Sequence, residues 1–233
     1  MDLRVAWDDH ADEWARWARA PDHDSYAHFH RDRFFDILPP PGRLTVDIGC
    51  GEGRLGRDLM ARGHRVVGVD GSPTLARLAA QADPPQPTAT ADAARLPIKT
   101  GVADLVVAML SLQDIADLDG AVQEASRVLG SRGSFCFAVV HPMNSAGDFA
   151  TTDPDSPWVM EGDYFEAHHY TDQVERAGRT MTFVSAHRPL EAFSHALERA
   201  GFLIERIREV SPNDPATRWS RLPGFLDVRA VKA

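Results

Sequence analysis

The sequence predicts an α/β fold in which a doubly wound, mostly parallel sheet carries helices on both faces. Three observations support that expectation. Residues 46–53, Val46-Asp47-Ile48-Gly49-Cys50-Gly51-Glu52-Gly53, read as a buried strand breaking into a turn of alternating glycines, and residues 54–62 follow as a helix. Residues 65–70, Arg65-Val66-Val67-Gly68-Val69-Asp70, form a second β-rich run that ends in an acid. Residues 103–110 are almost unbroken apolar, as a strand covered on both faces requires.

The other elements follow in chain order. Trp7, Ala11, Trp14 and Ala18 recur at helical spacing and line one face, with Trp17 beside them. Pro39-Pro40-Pro41-Gly42 separates that section from the first strand. After Asp70, Ser72 is the expected helix cap and Pro73 the first-turn residue, because serine accepts from an orphan N–H and proline has none to satisfy. A proline-laden loop spans 83–87. Asp119 is the expected cap of a helix whose Val122, Ala125, Val128 and Leu129 form an apolar stripe, with Gly130 at its end. A turn ending at Gly133 precedes a strand at 135–140. Residues 142–187 are rich in Asp, Pro, His and aromatics and lack periodicity apart from a strand at 180–186, the pattern of a lid or binding loop. Pro189 opens a last helix with Ala192, Phe193, Ala196, Leu197 and Ala200 inward and Gly201 at its end, and strand-like runs at 202–210 and 225–231 close the chain. The expected organisation is one domain: a helical cap at 1–40, a core at 44–141, a lid at 142–188, and a last helix and hairpin at 189–233.

Composition narrows the function. At 233 residues and 43% hydrophobic, the chain can bury one substantial core. Its net charge is −9 and its 25 Lys and Arg residues form no dense patch, which argues against a nucleic-acid partner. Cys50 and Cys136 offer neither metal-ligand spacing nor a disulfide framework, so no metal is expected. No stretch nears the roughly 18 apolar residues of a spanning helix and no apolar leader is evident, so a cytoplasmic protein without a membrane partner, monomeric or homodimeric, is expected.

The glycine turn carries the chemistry. Glycine accepts positive φ and lets a ligand approach backbone, while the helix behind presents free N–H groups and the positive end of its dipole to an anionic group. Two cofactors fit that description. Gly51, Gly53 and Gly56 spell the glycine pattern of a dinucleotide pyrophosphate site. That fingerprint places its acid about 20 residues further on. Asp70 comes early when counted from Gly56, and Asp47 and Gly49 are left without a role. Read as acid-x-Gly-x-Gly-x-Gly, Asp47, Gly49, Gly51 and Gly53 all have one. In this form the chain resembles the class I S-adenosylmethionine-dependent methyltransferases of the small-molecule, type 11-like kind, over residues 44–141 and more thinly beyond. The competing readings are an NAD(P)-dependent oxidoreductase and a catalytically silent S-adenosylmethionine-binding protein.

The resemblance implies a Rossmann-like sheet of seven strands, mostly parallel with an antiparallel last strand. It implies methyl transfer from S-adenosyl-L-methionine to O, N or C of a small acceptor, aromatic or of natural-product type, leaving S-adenosyl-L-homocysteine. It also implies roles residue by residue. Asp47, Gly49, Cys50, Gly51 and Gly53 belong to the donor loop, and Asp70 accepts from both ribose hydroxyls with Gly71 and Ser72 beside it. Asp92 meets the adenine amine, Ala93 offers its backbone N–H, and Leu110 stands at the strand-four mouth where donor and acceptor meet.

The acceptor side is less sharply marked. Trp14 is expected to border the substrate, with core packing as the alternative. In the cluster His23-Asp24-Ser25-Tyr26, Tyr26 with His23 or Asp24 would orient or deprotonate the acceptor, a plain surface cluster being the alternative; no cysteine stands near for zinc. His141 follows strand five, and ligands of open α/β sheets lie beyond the carboxyl ends of strands. A free histidine pKa of about 6.5 suits a general base, although a strand cap would use the same position. Asp114 competes with it as base and Gln113 as an orienting group.

Overall fold

The computed structural model describes residues 1–21, 24–160 and 162–233. Two short helices, α1 (Leu3–Asp9) and α2 (Ala11–Arg19), open the chain, and Asp2 caps the first by accepting from the Arg4 and Val5 N–H groups. The expected single tryptophan face is therefore split at His10: Trp17 is buried, whereas Trp7 and Trp14 stay partly exposed. A π-helical turn (Tyr26–His30) and α3 (Arg31–Phe35) follow. Strands and helices then alternate: β1 (Thr45–Ile48), α4 (Arg54–Ala61), β2 (Val66–Asp70), α5 (Pro73–Ala80), β3 (Thr88–Thr90), β4 (Ala103–Met109), a 3-10 turn (Leu112–Asp114), α6 (Leu118–Val128) and β5 (Leu129–Val140). Two hairpins come next, β6 (Gly147–Phe149) with β7 (Trp158–Met160) and β8 (His168–Arg176) with β9 (Arg179–His187). The chain closes with α7 (Leu190–Arg199), β10 (Phe202–Val210) and β11 (Phe225–Lys232).

The seven-stranded sheet has the order β10-β11-β5-β4-β1-β2-β3. β11 runs antiparallel to β5 and β10, and the other pairs are parallel. Period-two alternation divides the core between the two faces. Along β4, Val106 and Ala108 pack with Phe135, Phe137, Phe193 and Leu197 on one face, while Leu105 and Val107 pack with Phe34, Leu55 and Leu59 on the other.

Three local expectations are corrected. Asp117, not Asp119, caps α6 by accepting the Gly120 N–H; Asp119 instead pairs with Arg199 of α7 at 2.5 Å. No glycine ends α6, which runs straight into β5 with Gly130 inside the strand and a left-handed residue, Arg132 (φ 61), just beyond. The segment expected to be irregular apart from a strand at 180–186 holds two hairpins, and β9 is that strand. Most of β8 is exposed, so its side chains show none of the apolar alternation by which a strand is recognised.

Long-range contacts fasten the N-terminal helices over the sheet. Trp7 Nε1 donates to the Val184 carbonyl at 2.9 Å, the Thr182 N–H donates to Glu13 at 3.1 Å, and Trp14 and Trp17 meet Phe183 edge-on. His30 Nε2 lies 2.7 Å from Asp227 Oδ1, both side chains fully buried, with the imidazole stacked on Phe225. Among the described residues no helix is long and apolar enough to cross a membrane, and no group of three His, Cys, Asp or Glu side chains is arranged to hold a metal ion.

Gly56 and Gly68 make room for one side chain. A Cβ at Gly56 would stand 1.9 Å from Gln86 Oε1, and one at Gly68 would stand 2.5 Å from Gln86 Nε2, while Gln86 itself is buried. Gly56→Ala is therefore expected to destabilise the protein by about 1–3 kcal/mol through overpacking, and by less in a Gln86→Ala background. Urea melts of the double-mutant cycle check this; equal losses in both backgrounds would refute it.

Candidate active site

The site forms where β1, β2 and β4 end. Gly49 and Gly51 adopt φ of 69° and 57°, a region that strains any residue with a Cβ. Space is short as well, since a Cβ at Gly49 would stand 2.4 Å from Ser111 Cβ and one at Gly51 would stand 3.0 Å from Trp14 Nε1. The loop is pinned to β2 by its own amides. Gly49 and Cys50 N–H groups donate to the Val69 carbonyl, and the Gly51 N–H donates to Asp70 Oδ2 at 2.7 Å. Asp70 Oδ1 accepts the Ser72 N–H at 2.8 Å. A carboxylate has about four acceptor positions, so both oxygens keep capacity for a further donor. Burial raises the Asp70 pKa to about 6, with the two amide bonds opposing. Burial also raises Asp47 to about 7, with the Gln86 side chain opposing and the Asp70 charge adding, and Asp47 Oδ2 lies within hydrogen-bond geometry of no group among the described residues.

A cleft of about 1370 Å³ opens above this loop. It brings together Asp47, Gly49, Gly51, Asp70, Gly71 and Ser72 with Asp92 and Ala93 beyond β3. Ser72 caps α5 by accepting the Leu75 N–H and donates its own hydroxyl to Asp8. Asp92 is exposed and accepts the Ala94 N–H at 2.9 Å. Cys50 borders the cleft, but its thiol turns back toward Gly68, and burial pushes its pKa up. At the end of β4, Leu110 holds a left-handed φ of 53°, uncommon for a residue with a branched side chain and typical of functional turns. Gln113 Nε2 donates to the Leu110 carbonyl at 2.8 Å, while its buried Oε1 has no partner among the described residues.

Asp114, Trp14 and Asp24 also reach the cleft. Asp114 accepts the Ser185 hydroxyl at 2.6 Å, and burial holds its carboxyl well above the usual carboxylate range against the opposing effects of Ser185 and Arg188. Asp24 pairs with Arg54, whose guanidinium stacks 4.7 Å from the Trp14 ring.

Other expected residues point elsewhere. Gly53 faces Ala79 and Gln86, so it serves packing of α4 against α5 and does not border the cleft. Tyr26 donates to Asp58 at 2.7 Å, its phenol pKa raised by burial and by that carboxylate, and it too is absent from the cleft wall. His141 does cap the strand: its Nδ1 accepts the Met143 N–H at 3.1 Å and its Nε2 lies 3.2 Å from Glu209. Burial lowers its pKa, and it does not line the cleft. The turn that follows β5 folds back over the imidazole and takes the ring nitrogen that a base would need. His23 lies outside the described residues.

Several cleft residues carry no local sequence signal. Tyr170 and Ser185 face each other across the second hairpin, next to Asp114, and burial followed by the Asp114 charge raises the Tyr170 pKa. Glu52 is buried between Arg57 at 2.7 Å and Arg19 at 2.9 Å. A lone Tyr or Ser in a hairpin has no motif, and only the fold brings these groups to the mouth of β4.

Known proteins agree with this geometry. A family profile described as methyltransferase domain matches residues 46–137. The malonyl-[acyl-carrier protein] O-methyltransferase of Geobacter sulfurreducens is 32% identical over 225 residues, spanning 91% of this chain and 76% of that protein. The ubiquinone biosynthesis O-methyltransferase of a Methylobacterium species is 35% identical over 108 residues, 44% of this chain and 43% of its own length. The crystal structure of an S-adenosylmethionine-dependent methyltransferase from Mesorhizobium loti superposes with a TM-score of 0.71 at 25% identity, covering 86% of this chain and 96% of that one. With its glycine loop, acid-terminated second strand and sheet order, the chain belongs to the class I S-adenosylmethionine-dependent methyltransferases.

Proposed function

We propose that this methyltransferase methylates O, N or C of a small acceptor, aromatic or of natural-product type, bound beside the donor in the one cleft. The observation that supports this is continuity. The same cleft touches the glycine loop, the Asp114–Ser185–Tyr170 group and the rings of Trp14, Phe29, Phe183 and Trp219, and its volume of about 1370 Å³ suits a donor together with an acceptor. Both relatives above are named O-methyltransferases, which favours oxygen.

Donor binding falls to residues whose polar capacity is unused. Asp70 has acceptor positions for two ribose hydroxyls, Gly51 offers backbone with no Cβ, and Asp47, whose Oδ2 has no hydrogen bond among the described residues, lines the same cleft. Asp92 and Ala93 take the adenine, and the strained turn at Leu110 borders the donor and acceptor halves. When bound, the cofactor supplies a methyl group already electrophilic on its sulfonium, so the chain's task is alignment and exclusion of water. Of the three glycines in the dinucleotide pattern only Gly51 borders the cleft, and Gly53 and Gly56 close on Gln86, which removes the support for a pyrophosphate there. For proton removal, Asp114 is the better candidate: it lines the cleft, its basicity is raised by burial, and Ser185 holds its orientation.

Three outcomes are expected. In calorimetry with S-adenosylhomocysteine, Asp70→Ala weakens binding by about 1.5–3 kcal/mol, and NADH does not bind to the wild type; binding of NADH alone would sink the donor assignment. With an acceptor found by screening for S-adenosylhomocysteine release, Asp114→Asn lowers kcat by about 10²–10⁴ at unchanged donor affinity, whereas His141→Ala leaves kcat as it was; the reverse pattern would restore His141 as base. The third concerns pH. Burial raises the pKa values of Asp47 and Asp70 to about 7 and about 6 in the folded chain, against roughly 4 unfolded. Within that window the folded state holds protons that the unfolded state has released, so stability of the ligand-free protein falls as pH rises. Asp47→Asn is expected to gain on the order of 1–3 kcal/mol over wild type at pH 8 and little at pH 4, read by urea melts at each pH.

A further inference from the structure

Another wall of the cleft is built by the turn Arg218–Arg221 that precedes β11, and donor binding makes no use of it. Arg218 and Trp219 line the cleft there. The Arg218 guanidinium lies 5.3 Å from the Phe149 ring centroid and 5.8 Å from that of Trp219. Those rings are themselves fixed, since Phe149 meets both Trp158 and Trp219 edge-on at 5.1 Å. Arg221, on the same turn, donates to the Ser156 carbonyl. Arg218 differs: its Nε is buried and has no acceptor among the described residues, and no described carboxylate pairs with it.

A guanidinium remains charged at any physiological pH and holds five N–H donors in a flat fork. Aromatic faces stabilise the charge but leave the in-plane N–H groups unsatisfied, and a buried donor without an acceptor is unfavourable. The neighbouring acid does not relieve it. Asp148 accepts the Phe149 N–H at 2.7 Å and acts electrostatically on Asp172 across the cleft. Arg54, which also lines the cleft, is already paired with Asp24. The group that fits a flat fork edge-on is a carboxylate, whose two oxygens match the Nε and Nη donors.

We propose that Arg218 selects the acceptor by binding a carboxylate on a compound whose flat apolar body lies against Trp219 and Phe225, the rings that line the cleft beside it. This rests on the methyltransferase reading of the cleft, and the test separates the two. The full-length protein, saturated with S-adenosylhomocysteine, is titrated calorimetrically with 2-naphthoate and with 2-naphthamide, which share a ring system and differ in charge. The expected result is naphthoate binding at least about tenfold tighter than naphthamide, with the preference lost in Arg218→Gln and partly kept in Arg218→Lys. Unchanged S-adenosylhomocysteine affinity in all three proteins shows that the variants are folded. Failure of S-adenosylhomocysteine to bind the wild type overturns the methyltransferase reading. If it binds, and naphthoate shows no advantage or keeps its advantage in Arg218→Gln, the role of Arg218 is overturned.

Discussion

The hydrogen bond from the Gly51 amide to the Asp70 carboxylate is the constraint around which the site is arranged. It ties the loop leaving β1 to the end of β2, and it closes only because Gly51 takes a left-handed conformation that a side chain would oppose. Trp14 then fits against the bare backbone, and the Ser111 side chain fits against Gly49 while donating to the Ile48 carbonyl at 2.6 Å. Two acids, Asp47 and Asp70, are buried in consequence, and both have pKa values raised toward neutrality. A protein built for stability alone would not hold two desolvated carboxyl groups this way. On the function proposed above, hydrogen bonds donated by the bound ligand would offset that cost.

The cover of the cleft comes from parts of the chain far apart in sequence. α1 and α2 are too short to persist alone, and they are held by β9 through Trp7, Glu13 and the edge-on contacts of Phe183. The same hairpin brings Ser185 to Asp114, so the element that shields the cleft also orients the Asp114 carboxyl. On the other side, the buried His30–Asp227 pair ties the segment before α3 to β11, the strand that enters the sheet between β5 and β10. The glycine loop, the N-terminal cover and β11 are therefore joined by side-chain contacts through the sheet and the second hairpin.

Local signals made the core of the fold legible. The glycine turn, the acid ending β2, the Ser72-Pro73 start of α5, the apolar run of β4 and the Pro189–Gly201 limits of α7 each depend on neighbours in sequence, and each stands where it was expected. The cap of α6 was misplaced by two residues: Asp117, with a non-helical backbone of φ −95° and ψ 81°, turns its carboxylate to the Gly120 N–H. Of the hairpins within 142–188 only β9 was legible, as the strand expected at 180–186; its partner β8 was not, because an exposed strand pairs through its backbone and leaves no pattern in its side chains.

What the sequence determined by itself was the class of fold and the glycine loop at the end of β1, since Gly49, Gly51 and Asp70 act through backbone geometry and spacing that a few consecutive residues encode. Only the tertiary structure decided the rest of the cleft wall. It turned His141 and Tyr26 into structural contacts, gave Asp114 its partner from β9, and left Arg218 in the cleft wall without an acceptor. The physical reason is range: a turn is set by the torsions of its own residues, whereas a side chain's basicity, partner and direction are set by whatever the fold packs against it.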